Sequence, residues 1–168
     1  MWTTPLVILI CLAICNRFPA PPPLIKAKNH NRILMKDAVD SLRSSAAPGS
    51  IIFADYQSGL LLSYYVCGHG VVQVFPPYPA FARDECGAYT AITPRPQEWK
   101  FYASDLPGRL ESVAHAYNLA PGTKLWLFDA GWITDSTPAL RKQLPQLGCT
   151  EPHSFGENIL LCEINGSK

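Results

Sequence analysis

Two aspartates hold equivalent places in the chain. Asp55 closes the apolar run Ile51-Ile52-Phe53-Ala54, and Asp129 closes Leu125-Trp126-Leu127-Phe128. A short apolar run released by a turn and ended by an acidic residue reads as a buried strand leading into a polar corner. If the two strands are neighbours, both carboxylates lie at the carboxyl edge of one sheet, where open α/β sheets bind ligands. Paired carboxylates in that position can hold a metal or share a proton. Tyr56, Gln57, Ser58 and Trp132 fall on the same edge and suit a sugar or another polar ligand. The candidate ligand set is therefore Asp55, Tyr56, Gln57, Ser58, Asp129 and Trp132, with no catalytic residue assigned. A simpler role competes with ligand binding, and it is the commoner one. Each Asp can cap the helix after its strand, which takes a single oxygen per N-terminus.

Other chemistries lack their motifs. After the first run the chain reads Asp55-Tyr56-Gln57-Ser58-Gly59, not G-x-G-x-x-G, and no G-x-x-x-x-G-K-[ST] occurs. Nicotinamide and ATP chemistry are not expected, and no cofactor is assigned. His30, His69, His115 and His153 form no H-x-x-x-H pair and no Cys-x-x-Cys is present, so no metal site is expected. A Ser–His–Asp set can be drawn from Ser58, His69 or His153, and Asp129, but G-x-S-x-G is absent and a hydrolase is not expected. Of six cysteines, Cys11 and Cys15 sit in an apolar segment. Cys67, Cys86, Cys149 and Cys162 remain, with three connectivities open. Cys149 and Cys162 fall on facing strands of an expected hairpin and can meet in an oxidising compartment; in a reducing one all four are small buried hydrophobes.

At 168 residues the chain is long enough for one domain with a real core. Charged residues make up 16% and the net charge is +1, which leaves no electrostatic case for a nucleic-acid partner. Of the sixteen prolines, nine cluster at 19–23, 76–79 and 94–96. Apolar runs separate those clusters, so they read as stiff connectors rather than as global disorder.

The start of the chain is apolar from Pro5 to Cys15. With Trp2 to Thr4 the stretch is about 14 residues, short of the roughly 20 that a lone helix needs to cross hydrocarbon. A signal peptide needs a positive n-region, which Met1-Trp2-Thr3-Thr4 lacks. A lipoprotein site needs a small residue before the Cys, where Ile10 and Ile14 stand instead. Residues 1–17 are thus read as the end of a last membrane span, with Asn16, Arg17 and Phe18 at the interface. A Pro-rich linker follows over 18–30, and a soluble domain over 31–166.

Within that domain the spacing of Ile33, Val39 and Leu42, with Leu34 and Ala38 alongside, predicts an amphipathic helix over 31–46. Strands are expected at 51–54, 71–75, 98–103 and 124–128, and helices at 57–65, from 104 to about 117, and over 136–147, the last shortened by Pro145. Residues 78–96 sustain no period and read as loop. A hairpin near 149–153 and 158–163 ends the domain. This order predicts an α/β fold: a mainly parallel, Rossmann-like three-layer sheet with a C-terminal antiparallel hairpin, preceded by a partial transmembrane helix.

The combination of an apolar start, a proline tether, Ala47-Pro48-Gly49 with Ile51 to Asp55, Leu60 to Tyr65, and Pro121-Gly122 with Leu125 to Asp129 resembles a known group. It is similar to the C-terminal extramembrane domain of bacterial polyprenyl-phosphate-sugar-dependent integral membrane glycosyltransferases, the protein-mannosyltransferase-like group. The likeness covers residues 2–165. It implies a membrane-anchored accessory domain facing the periplasm or cell exterior. Its implied partners are the membrane, the transmembrane portion, and a lipid-linked sugar or its acceptor. That family keeps its catalytic acid in a loop between early membrane spans. No position here matches it, so the resemblance implies a domain that is inactive alone. The alternative is a small membrane-tethered enzyme or binding module using Asp55 and Asp129.

Overall fold

The computed structural model describes residues 32–68, 81–94, 105–130, 136–156 and 159–166. The expected membrane segment, the linker, the strands at 71–75 and 98–103, and Trp132 lie outside the described residues. Among the described residues no helix is long and apolar enough to cross a membrane.

The first element among the described residues is α1 (Arg32–Ser45), which buries Met35, Ala38, Val39 and Leu42. That i, i+3, i+4, i+7 stripe is the face a surface helix lays on a sheet. Pro48 and Gly49, the latter at φ 87°, turn the chain into β1 (Ile51–Ala54). Then come α2 (Tyr56–Tyr65), the hairpin β2 (Phe81–Cys86) and β3 (Tyr89–Pro94), and α3 (Leu106–Tyr117). The chain continues with β4 (Lys124–Asp129), α4 (Ser136–Gln143) and a 3-10 turn over Leu144–Leu147. It closes with β5 (His153–Phe155) and β6 (Ile159–Asn165). Pro145 falls inside the 3-10 turn, and α4 stops two residues before it, as its missing N–H requires.

The strands form one sheet in the order β2-β3-β1-β4-β6-β5. Its centre is parallel: β1 runs with β3 on one side and with β4 on the other. The outer pairs β2–β3, β4–β6 and β5–β6 are antiparallel, three ladders against two. The sheet is therefore mixed and mostly antiparallel, which corrects the expected mainly parallel Rossmann-like arrangement. The physical reason lies within the stretch expected to be loop, where Phe81–Pro94 folds as a hairpin. Along Phe81–Cys86 the two faces carry Phe81, Arg83, Glu85 and Ala82, Asp84, Cys86, so neither face alternates apolar with polar. Such a strand suits a sheet edge, where charges discourage pairing with another chain. A two-residue Gly87-Ala88 turn, with Gly87 at φ 63°, reverses it.

Two apolar layers flank the sheet. On one side Phe53, Ile92, Leu125, Leu127 and Leu160 meet Leu106, Leu110 and Val113 of α3 and Leu140 of α4. On the other Ile52, Ala54, Phe128 and Leu161 meet α1 and Leu62 of α2. Strand residues alternate between the layers, so β1 and β4 are covered on both faces. Each of these fully buried Leu, Ile or Phe side chains contributes about 1.5–3 kcal/mol over leaving it in water. The entry to α3 is tied to the end of α4, because Gln143 Oε1 accepts the Leu106 N–H at 2.9 Å.

Candidate functional site

The central register brings the two aspartates together. Ala54 pairs with Phe128 in the parallel β1–β4 ladder, and the next residues along are Asp55 and Asp129. Both are interior: Asp55 is 3% exposed and Asp129 0%. Gln57 and Ser58 are buried with them, while Tyr56 is half-buried.

Asp55 is the N-cap of α2, in extended backbone at φ −69° and ψ 173°. Its Oδ1 accepts the Ser58 N–H at 2.6 Å, which satisfies one of the free donors of the helix's first turn. The Ser58 hydroxyl oxygen in turn accepts the Ala130 N–H at 2.9 Å. Burial pushes the Asp55 carboxyl above its ordinary value of 3.8, and the N–H and hydroxyl of Ser58 and the N–H of Gln57 act in the opposite direction. Its oxygens already serve the first turn of the helix and Ser58. The corner is a packed joint between two strand ends rather than an open cleft.

Among the described residues the Ser–His–Asp set drawn with His153 does not assemble. His153 lies on β5, beyond β6 from β4, and its Nδ1 is 3.5 Å from Ser41 Oγ on α1. Ser58 is bound up with Asp55 and Ala130, and His69 and Trp132 lie outside the described residues. A cavity of about 220 Å³ lies elsewhere, lined by Leu110, Glu111, Gln146, Leu147 and Asn165 among others. Asn165 pairs with Lys124, the first residue of β4, so this cavity is at the opposite end of that strand from Asp129.

The four cysteines among the described residues are joined as Cys67–Cys86 and Cys149–Cys162. The first links the turn after α2 to the end of β2, with Cα atoms 4.2 Å apart; the second links the turn before β5 to β6, at 6.2 Å. Asp84 lies beside the first pair, and its carboxylate and the two sulfurs fall within 4.8 Å of one another. Sequence spacing does not reveal this group, because Cys67 and Cys86 are 19 residues apart and Phe81–Cys86 shows no strand periodicity. The one available signal was Asp84-x-Cys86, two side chains that share a face only if the stretch is a strand.

Comparison with protein-family models, with curated proteins and with solved structures gives no match to this chain.

Proposed function

We propose that this chain is a membrane-anchored, extracytoplasmic α/β accessory domain of a glycosyltransferase that uses polyprenyl-phosphate sugars, without a reaction of its own. The observation that carries the reading is the closed corner: the two best-placed acids, Asp55 and Asp129, are 3% and 0% exposed. A sugar-transfer centre needs its acid against the substrate, and these acids are inside the joint. Two disulfides in so short a chain suit an oxidising compartment, the periplasm or the cell exterior. The stretches that carry the family likeness, around 51–55 and 125–129, are the central parallel pair of strands.

Fractionation and transfer assays on the full chain test the reading. The chain should stay with membranes and expose its soluble part on the extracytoplasmic side. It should transfer no sugar from a polyprenyl-phosphate donor. Transfer by the chain alone overturns the accessory role. In that case Asp55→Asn with Asp129→Asn, if it ends transfer while the chain stays folded, identifies the corner as the site of a small tethered enzyme.

A further inference from the structure

We propose that Cys67, Asp84 and Cys86 form a redox-gated site for a soft divalent cation such as zinc. Asp84 and Cys86 are two residues apart on β2, so their side chains leave the same face of the strand. Cys67 reaches that face from the turn after α2, and the three donor atoms lie within 4.8 Å of one another. Two thiolates and a carboxylate are donors that zinc takes, at about 2.3 Å for sulfur and about 2.0–2.2 Å for oxygen. Ligands on one tetrahedral ion at those lengths are roughly 3.5 Å apart, so once the disulfide is reduced the two sulfurs must move apart and the carboxylate draw in, both by side-chain rotation. Three protein ligands leave the fourth position open to water or a ligand, the arrangement of reactive rather than closed zinc sites.

The second cystine is an internal contrast. Cys149 and Cys162 are 3% and 5% exposed, and among the described residues no other group of three ligating side chains comes together. Cys86 is just as enclosed, at 2% exposed, but its partner Cys67 is half-buried and β2 is the edge strand among the described residues, so a reductant can reach the bond at the Cys67 sulfur. A disulfide sulfur is a poor ligand, and this makes the site conditional. A dithiol reductant attacks the Cys67–Cys86 bond, forms a mixed disulfide, and leaves as its own cyclic disulfide. Two electrons pass to the protein, whose two sulfurs become thiols. Cation binding then releases both thiol protons to solvent and adds the Asp84 carboxylate. One cross-link replaces another, so the turn after α2 stays tied to β2 in both forms.

Cobalt(II) is a suitable probe, because thiolate ligation gives an ultraviolet charge-transfer band and a tetrahedral site gives strong visible bands. The full chain in detergent is reduced without metal and titrated with cobalt(II), and each cysteine is then mapped by alkylation. The expected result is one ion per reduced chain, protection of Cys67 and Cys86, and no such bands from the oxidised chain. Asp84→Asn should weaken binding about tenfold or more while leaving the far-ultraviolet circular dichroism of the oxidised chain unchanged. Protection at Cys11 and Cys15 or at Cys149 and Cys162 instead, or equal binding by the oxidised chain, overturns the proposal. So does an affinity indifferent to Asp84→Asn. The alkylation map uses the unaltered chain, so it decides the matter even if a variant misfolds.

Discussion

Ser58 joins two strand ends that are far apart in sequence: its hydroxyl oxygen accepts the Ala130 N–H at 2.9 Å, while its own N–H goes to Asp55 Oδ1 at 2.6 Å. One side chain thereby fixes the start of α2 against the end of β4. Ser58→Ala leaves a buried backbone N–H without its acceptor, a loss of about 1–3 kcal/mol. Urea denaturation should show a lower midpoint with an unchanged slope. A loss below about 0.5 kcal/mol, the scatter of ordinary surface changes, means that the joint holds without Ser58.

Asp55 should make stability depend on pH in an unusual direction for a carboxylate. Burial raises its folded value above the ordinary 3.8, so between those two limits the folded state binds more protons than the unfolded. Stability from this group is fully present below 3.8 and is lost as pH rises through the folded value. Asp55→Asn keeps an oxygen to cap α2, since Asn and Asp cap about equally well, and it removes the charge. Relative to wild type, the variant should be at least as stable at neutral pH, and its advantage should shrink as pH falls toward 3.8. A stability difference that is flat across this range contradicts the assignment.

Gly59 is a packing residue. A Cβ added there meets the Thr93 side chain, with Thr93 Cβ 3.2 Å away and its methyl group closer still. Alanine gains about 1 kcal/mol of helix propensity, but overpacking typically costs about 1–3 kcal/mol. Gly59→Ala should therefore be net destabilising, and Thr93→Ser in the same chain should recover most of the loss. The double-mutant cycle measures this coupling directly. Additive effects would show that α2 shifts freely on the sheet.

The elements with one strong signal were legible in the sequence. β1 at Ile51–Ala54 has its expected bounds, because four apolar residues between a glycine turn and an acidic cap allow little else. The helix expected over 31–46 is observed at Arg32–Ser45, set by its apolar stripe and the Pro48-Gly49 stop. The adjacency of Asp55 and Asp129 stays conditional in the sequence, which does not say that the two strands are neighbours; the parallel β1–β4 ladder makes them so. The hairpin Phe81–Pro94 did not follow. Its edge strand carries Arg83, Asp84 and Glu85, and its inner strand, buried on both faces at Ala91 and Ile92, shows no alternation. With that hairpin went the strand order and the meeting of Cys67, Asp84 and Cys86. What decided these was non-local pairing, which periodicity does not record.

The two disulfides should open in sequence under a mild reductant. Thiol–disulfide exchange needs the attacking thiolate to reach one sulfur; Cys67 is half-buried although Cys86 is 2% exposed, while Cys149 and Cys162 are both enclosed, at 3% and 5%. Cys67–Cys86 should therefore be reduced first, with Cys149–Cys162 following only as the domain opens. Timed alkylation and peptide mapping at increasing dithiol concentration will show the order. The stability costs should not follow the same ranking. The loops closed are 19 and 13 residues, and loop entropy differs little between such lengths, at about 3 kcal/mol for each. Cys149→Ser with Cys162→Ser adds a second penalty, because both hydroxyls are placed in the apolar layer beside Leu144 and Leu147. Paired alanine replacement removes that polar penalty. The serine pair should thus be less stable than the alanine pair at this bridge, and the two pairs should differ less at Cys67 and Cys86, where one position is half-buried. If Cys149–Cys162 is reduced as fast as Cys67–Cys86 under native conditions, its enclosure by the 3-10 turn and β6 is looser than the burial of its sulfurs implies.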